Sequence, residues 1–285
     1  MARAAGIVLA GGRSSRMGTP KAALEWHGST LLRHVVGVVG RSLDGAVVVV
    51  RAPGQVLPEL PDGVEVVEDA REGGGPLQGL AAGLAALRDR ADAAYASATD
   101  VPLLHPRFIR RMLSALDDEV DVVLPDVGGV RHPLAAVYRT DLVDIVERLI
   151  AEDRMRPAFL FESCRVRLLD AGALLADPAL AALDPGLDSL LNLNEPTDYE
   201  AARRRPAPEV GVRVSMALRR DSTLVSDCAV VAAATLGEAA AASGLSLDGH
   251  VVASLNGEHI TRDPQAPLVA GDSVSFLPPD GRRIR

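Results

Sequence analysis

Lysine is almost missing from this sequence of 285 residues. Lys21 is the one lysine among 30 basic residues, and the rest are arginines. Aromatic residues make up 3% of the chain, and the two cysteines are Cys164 and Cys228. Because their spacing fits no metal-binding motif, we interpret both cysteines as reduced and structural.

Long apolar runs and an excess of basic residues are also absent. The longest apolar stretches fall far short of the roughly 20 residues that cross a bilayer. The net charge of −8 disfavours nucleic acid as the main partner, because phosphates need a basic surface. A strand pattern begins within the first residues, without a signal peptide before it. We therefore expect a cytoplasmic enzyme.

Short β-branched runs alternate with alanine- and leucine-rich stretches up to about residue 204. This rhythm predicts an α/β domain with a Rossmann-like, three-layer fold, in which helices cover both faces of a mostly parallel sheet. The predicted strands are 6–10, 46–50, 64–67, 94–98, 120–124, 134–138 and 166–169. The predicted helices are 29–42, 77–90, 106–116, 141–151 and 197–204.

The segment 203–211, "RRRPAPEVG", has the charge and proline content of a linker. We place a domain boundary at about residue 208, which gives domains 1–208 and 209–285. The second domain has predicted strands at 212–218 and 251–255, a helix at 236–243, a hairpin turn at "NGE" and a final strand. One helix on a small mixed sheet predicts an α+β, ubiquitin-like β-grasp domain.

A glycine-rich loop, "LAGGRSSRMGTPKAAL", follows the first predicted strand. Gly11 and Gly12 allow backbone N–H groups to approach a ligand, while Arg16 and Lys21 add positive charge. The loop therefore predicts a triphosphate cradle, although its spacing matches neither the Walker loop nor the dinucleotide fingerprint. A plain strand-to-helix turn is the alternative.

The position of the lone lysine supports the cradle. A compact ammonium can sit between phosphate oxygens as a point charge, whereas a planar guanidinium is larger and favours bidentate partners. Selection for a point charge would explain a lysine at position 21 of an arginine-rich chain. Random drift is the alternative.

Two aspartates follow predicted strands at the edge of the sheet where ligands bind. Asp69 ends "VEVVED" and Asp100 ends "AAYASATD". A carboxylate beside a triphosphate can hold Mg²⁺, which prefers a few protein oxygens together with phosphate and water. Each aspartate could instead be a helix cap or a turn residue.

Six segments resemble the molybdenum cofactor guanylyltransferases, the MobA family, over about residues 5–204. They are "LAGGRSSRMGTPK", "VVEDAREGGGPLQGL", "ATDVPLL", "RHPLAAVY", "RMRPAFLF" and "LLNLNEPTDYE", in that order. The resemblance implies a Mg²⁺-dependent nucleotidyltransferase. The implied reaction joins GTP to molybdopterin or its molybdenum-loaded form, which releases pyrophosphate and yields the guanine dinucleotide cofactor.

The resemblance also implies roles for individual residues. Lys21, Asp100 and Arg16 would act in catalysis, and Asp100 would hold Mg²⁺. Arg154 and Arg156 could meet anionic oxygens near the pterin, or they could belong to a solvated helix start. The nucleotide would meet Leu9, Ala10, Gly11, Gly12, Lys21, Asp69 and Asp100, and the pterin side would contain His132, Asn192 and Asn194.

Two other functions stay open. The family often has an asparagine after the second strand, but this chain has "AVVVVRAPGQ", and "MGTPK" is also similar to the loop of cytidylyl- and sugar-nucleotidyltransferases. The protein could therefore use CTP or act on a sugar phosphate. It could also be a non-catalytic nucleotide-binding scaffold, which the presence of both Lys21 and Asp100 disfavours.

The segment 211–285 resembles the small sulfur-carrier subunit of molybdopterin synthase. The likeness lies in "VVASLNGEHITRD" and "LVAGDSVSFLPP". Active carriers end in Gly-Gly, whereas this sequence ends in "DGRRIR", so we expect no sulfur transfer. The domain could dock proteins that make or receive molybdopterin, or it could simply pack against the catalytic domain.

Overall fold

The structure, a computed structural model, describes residues 3–11, 20–70, 73–218 and 228–279. It divides into two units. The first comprises Met1–Glu25 and Thr30–Tyr199, and the second comprises Trp26–Ser29 and Glu200–Arg285. The predicted domain boundary at about residue 208 stays a prediction.

An eight-stranded sheet forms the centre of the first unit. The strands in this part of the chain are β1 (Ala4–Leu9), β2 (Glu25–Trp26), β3 (Ser29–Thr30), β4 (Val47–Arg51), β5 (Glu65–Glu68), β6 (Ala93–Ala98), β7 (Val122–Val127), β8 (Val130–Arg131), β9 (Ala135–Arg139) and β10 (Val166–Leu169). The order in the sheet is β10-β7-β9-β6-β1-β4-β5, with β8 beside β7, while β2 and β3 form a separate hairpin. Among the described strands of the eight-stranded sheet, only β8 and β9 run antiparallel to the others, which confirms the mostly parallel sheet.

In the part of the chain that the structure describes, eight α-helices accompany these strands. They are α1 (Leu31–Gly40), α2 (Pro76–Leu87), α3 (Pro106–Ser114), α4 (Val143–Ala151), α5 (Pro157–Phe161), α6 (Ala171–Leu175), α7 (Pro178–Leu183) and α8 (Pro196–Arg203). The predicted helix at 29–42 begins too early, because Ser29 and Thr30 form β3. The Thr30 side chain then accepts a hydrogen bond from Arg33 N and caps α1.

Side chains of β1 alternate between two helical layers. A Cβ at Gly79 or Gly83 of α2 would lie 3.1 Å from Leu9 or 2.6 Å from Ile7, so glycine brings α2 close to one face of β1. On the other face, a Cβ at Gly6 would lie 2.5 Å from Val39 of α1. The predicted three layers are thus present around β1, and α2 begins at the edge where β1 ends.

The second unit has its own sheet and hydrophobic core. Its elements are β11 (Glu209–Val214), β12 (Ala229–Ala232), α9 (Leu236–Ala242), β13 (Val252–Leu255), β14 (His259–Thr261) and β15 (Ser273–Leu277). The order is β12-β11-β15-β13-β14, and among these described strands only β11 and β15 are parallel neighbours. The side chains of Val212, Leu236 and Phe276 lie in a core with at most 2% exposure.

Two local predictions in this unit had different outcomes. Asn256 and Gly257 have φ angles of 54° and 74°, the left-handed conformation that a tight hairpin turn needs, which confirms the turn between β13 and β14. The predicted strand 212–218 is wrong at its end, because Met216–Leu218 form a short 3₁₀ turn.

In the part of the chain that the structure describes, no helix has the length and apolar character needed to cross a membrane.

Candidate active site

The carboxyl ends of four neighbouring parallel strands, β6, β1, β4 and β5, lie at one edge of the first unit's sheet. Ligands of open α/β sheets bind at this edge. The segments that leave these strands contain Leu9–Gly11, Arg51–Gln55, Asp69 and Thr99–Asp100. Most residues predicted to bind nucleotide therefore follow adjacent strands.

Lys21 and Asp100 form an ion pair at this edge. The Nζ atom of Lys21 lies 2.6 Å from Oδ2 of Asp100, and the side chains are 21% and 15% exposed. Lys21 begins a 3₁₀ turn, Lys21–Ala23. Asp100 is the second residue after the end of β6. The fold thus brings together two residues that the sequence analysis gave separate roles, Lys21 as a phosphate contact and Asp100 as the Mg²⁺ ligand.

The second carboxylate oxygen of Asp100 has a different environment. Oδ1 is buried, and among the described residues it has no hydrogen-bond partner. A buried carboxylate oxygen without a donor is costly unless a ligand satisfies it. One free carboxylate oxygen fits Mg²⁺, which is commonly held by one or two carboxylates, substrate phosphates and water. The described residues contain no group of three or more His, Cys, Asp or Glu side chains arranged for a metal ion.

Asp69 lies at the same edge but away from Asp100. Its backbone N–H donates to Arg51 O at 2.8 Å, beside the ion pair between Arg51 and Glu68. Three strand spacings separate β5 from β6, which is roughly 14 Å at about 4.8 Å each. The two aspartates therefore stand on opposite sides of β1.

Hydrogen bonds hold the end of β1 from both sides. Thr99 Oγ1 donates to Leu9 O at 2.9 Å, and Gln55 Nε2 donates to Ala10 O at 2.9 Å. Ala10 N donates to Val50 O at 2.8 Å. Sequence reasoning missed Thr99 and Gln55, although both occupy segments that were already of interest: one directly precedes Asp100, and the other ends "RAPGQ".

The segment of Asn192 and Asn194 is joined to the site through the backbone. Leu193 N donates to Asp100 O at 2.8 Å, and the Leu193 side chain is fully buried. Asn192 and Asn194 on either side of it are exposed. The backbone N–H of Asn194 also donates to Asp198 Oδ2 at 3.1 Å, where α8 begins.

His132 lies further along the same edge. Its backbone N–H donates to Pro125 O at 3.1 Å, near the carboxyl end of β7. Its backbone C=O accepts a hydrogen bond from Ala135 N at 3.1 Å, so His132 leads into β9, which lies between β7 and β6. Partial burial lowers the pKa of His132, and the nearby Asp126 carboxylate opposes this shift. Burial thus favours a neutral imidazole.

Arg154 and Arg156 lie directly before α5. Arg154 lies 3.4 Å from Glu162 and 3.8 Å from Glu152, and it stacks 4.4 Å above the Phe159 ring, so its charge belongs to a surface cluster. Arg156 is exposed and precedes α5. Gly12 and Arg16 lie outside the described residues.

The fold and the ligand-binding edge together define an α/β nucleotidyltransferase fold. Residues 6–166 match the MobA-like NTP transferase domain family. The chain belongs to this family, which confirms that part of the resemblance seen in the sequence. The likeness of the second unit to a sulfur carrier stays a prediction.

Named relatives agree with this assignment. A probable molybdenum cofactor guanylyltransferase of Mycobacterium tuberculosis is 42% identical over 172 residues, which cover 59% of this chain and 84% of the relative. One of Mycobacterium avium is 44% identical over 151 residues, covering 52% and 75%.

The crystal structure of molybdopterin-guanine dinucleotide biosynthesis protein A from Archaeoglobus fulgidus has a TM-score of 0.55 at 22% identity. The match covers 70% of this chain and 96% of that protein. At this level of identity, the likeness concerns the fold.

Proposed function

We propose that the protein transfers GMP from GTP to molybdopterin or its molybdenum-loaded form. The products are the guanine dinucleotide cofactor and pyrophosphate. The family of the chain and the names of its mycobacterial relatives support this proposal. The observation that carries it is the Lys21–Asp100 pair, which leaves one buried carboxylate oxygen of Asp100 available at the ligand-binding edge.

Phosphoryl and nucleotidyl transfers need positioning and charge neutralisation more than acid–base chemistry. The terminal phosphate of molybdopterin attacks the α-phosphorus of GTP in line with the departing pyrophosphate. An ammonium carries three N–H donors, so Lys21 can hold a phosphate oxygen while it remains bonded to Asp100. Lys21 thereby neutralises charge on the leaving group, and Asp100 fixes the position of the Lys21 side chain.

Asp100 is the residue that would hold Mg²⁺, through Oδ1. When bound, the ion supplies positive charge at the phosphate oxygens of the nucleotide. Asp69 contributes to nucleotide binding from the other side of β1. We assign His132, Asn192 and Asn194 to the pterin side; the two asparagines are solvent-exposed.

We also propose that the second unit is a β-grasp domain that docks proteins of molybdenum cofactor biosynthesis. Its support is the helix α9 with a five-stranded mixed sheet in which β11 and β15 are parallel neighbours. Truncation after Glu209 tests this second proposal: pyrophosphate release should be retained while binding to a protein of molybdenum cofactor biosynthesis is lost, whereas loss of solubility would indicate a domain that only packs against the first unit.

The experiment for the proposed function is a turnover assay. Purified protein is incubated with Mg²⁺, molybdopterin and one nucleoside triphosphate at a time, and pyrophosphate release is measured together with the dinucleotide product. We expect release with GTP that requires molybdopterin. Release with a sugar phosphate as acceptor, or the absence of release with every triphosphate, would contradict the proposal.

A further inference from the structure

Gln55 holds the end of β1 through its side-chain amide. Nε2 donates to Ala10 O at 2.9 Å, and Oε1 accepts a hydrogen bond from Ala52 N at 3.0 Å. Because a carbonyl only accepts and a backbone N–H only donates, these two partners define the orientation of the amide. The donor that reaches Ala10 comes from a residue 45 positions away in the sequence.

The loop that carries Gln55 is itself restrained. Gln55 N donates to Ala52 O at 3.0 Å, which closes the turn. Arg51 Nη1 donates to Gln55 O at 3.0 Å, and Arg51 Nη2 bonds Glu68 at 2.8 Å. Because these hydrogen bonds restrain the loop, the side-chain amide of Gln55 has a fixed position. It can therefore hold the carbonyl group of Ala10 in one orientation.

The restraint on Ala10 O also orients the next N–H group. Ala10 C=O and Gly11 N–H belong to one planar trans peptide unit, so they point in opposite directions. Gly11 has no backbone hydrogen bond among the described residues, and a Cβ at Gly11 would lie 3.4 Å from Ala52 N. The loop of Ala52–Gln55 thus covers one side of this peptide, and the Gly11 N–H points away from Gln55.

We propose that Gln55 is a positioning residue for nucleotide binding. It holds the Ala10–Gly11 peptide so that Gly11 N–H is offered to an oxygen atom of a bound nucleoside triphosphate. The inference rests on the proposed function, since it assumes a nucleotide at this edge of the sheet. Gln55 acts on the nucleotide through Gly11 and does not contact it.

The test uses three variants of the full chain and two readouts. Gln55→Met keeps the length of the side chain but removes both amide hydrogen bonds. Gln55→Glu keeps the acceptor for Ala52 N and replaces the donor to Ala10 O with a repelling oxygen. Val56→Ala is the matched control, because the Val56 side chain in the same loop is 89% exposed.

Binding of a non-hydrolysable GTP analogue gives Kd, and pyrophosphate release gives KM and kcat. We expect Gln55→Met to raise Kd and KM for the nucleotide about tenfold, as for the loss of one hydrogen bond to a charged group. We expect kcat at saturating nucleotide to stay near the wild-type value. The Gly11 N–H binds the nucleotide equally in the ground state and in the transition state, so its misplacement raises KM without changing kcat. Val56→Ala should behave as wild type.

Gln55→Glu is measured at high salt, where repulsion between its charge and the nucleotide is screened. Gln55→Glu should weaken nucleotide binding as Gln55→Met does. If Gln55→Met folds poorly, Gln55→Glu alone tests whether Gln55 positions the peptide for nucleotide binding. Wild-type nucleotide affinity in both variants would overturn the inference. A loss of kcat with unchanged Kd would overturn it too, whereas wild-type protein that binds no nucleoside triphosphate would contradict the proposed function itself.

Discussion

The Nζ atom of Lys21 lies 2.6 Å from Oδ2 of Asp100, although 79 positions separate the two residues in the sequence. Both side chains are largely shielded from solvent. The pair joins the end of the glycine-rich loop to the end of β6. A shielded pair at a ligand-binding edge is more sensitive to the shape of the cation than a pair on the surface.

Lys21→Arg should lower the rate of pyrophosphate release about a hundredfold, the usual effect of losing one well-placed donor in a charge-stabilising site. The guanidinium keeps the charge but is larger and planar, so it cannot occupy the space of the ammonium between Asp100 and a phosphate. Arg88→Lys is the control, because it exchanges the same two cations in the exposed pair with Asp144. Wild-type turnover by Lys21→Arg would show that the site does not select for lysine.

Asp100→Asn should reduce Mg²⁺-dependent turnover about a hundredfold while the protein stays folded. The asparagine oxygen can still accept a hydrogen bond from Lys21, but the carboxylate charge that would hold the metal is lost. Turnover is measured over a range of Mg²⁺ concentrations, with circular dichroism to check the fold. Asp144→Asn serves as the exposed control. An unchanged Mg²⁺ dependence in Asp100→Asn would exclude Asp100 as the metal ligand.

The enzyme should distinguish the guanine base from the cytosine base of its nucleotide substrate. We expect kcat/KM for GTP to exceed that for CTP at least about tenfold, because polar groups shaped for one base are left unpaired by the other. The measurement compares GTP and CTP with molybdopterin as acceptor at equal Mg²⁺. Equal values, or a preference for CTP, would assign the protein to the cytidylyl group.

Patterns along the sequence could predict the strands and the residues at their ends. The alternation of strands and helices gave the three layers, and Lys21 and Asp100 stood out by composition and position. The direction of β9 was not predictable, because a short apolar run such as Ala135–Arg139 looks the same in either direction. The helices α5, α6 and α7 were missed because five or six residues are too few to display a helical period.

The hydrogen-bond and ion-pair partners of the site residues are set by the tertiary fold and not by the local sequence pattern. Nothing around Gln55 in the sequence indicates that its amide reaches Ala10 O. The interaction exists because β1 and β4 are neighbours, which brings the segments after both strands together. For the same reason the ion pair of Lys21 with Asp100 was not predicted as a pair, although both residues were.

The two units have separate cores, so they should respond separately to core truncation. Phe276→Ala should destabilise the second unit by about 3–5 kcal/mol, because the Phe276 side chain is fully buried there. Pyrophosphate release at low temperature should stay at the wild-type level. Phe108→Ala, which removes a fully buried ring from the first unit, should instead abolish or reduce it. Equal loss of release in both variants would contradict the proposal of two independent domains.

An ion pair beside the edge strand β10, between Arg165 and Asp121, should make the stability of the fold sensitive to acid. Arg165 donates three hydrogen bonds to the Asp121 carboxylate: from Nη2 at 2.5 Å, from Nε at 3.1 Å and from the backbone N–H at 2.8 Å. The side-chain hydrogen bond from Arg165 is the main reason that the pKa of Asp121 is lowered. The folded-state pKa thus lies below the unfolded value of about 3.9. The pair therefore stabilises the fold fully above that pH, and its contribution is lost as the pH falls through the lower, folded-state pKa.

Asp121→Asn should accordingly lower the free energy of unfolding at pH 7 by about 1–2 kcal/mol. This value is the contribution of a hydrogen-bonded ion pair, reduced because the pair is partly exposed to solvent. Below about pH 4 the difference from wild type should shrink, because the wild-type carboxylate becomes protonated there as well. Urea unfolding at a series of pH values from 7 to 3 measures this difference. Asp118→Asn is the control, because Asp118 is fully exposed and lies 3.4 Å from Arg139. A difference between wild type and Asp121→Asn that stays constant down to pH 3 would show that packing, and not the ion pair, accounts for the effect.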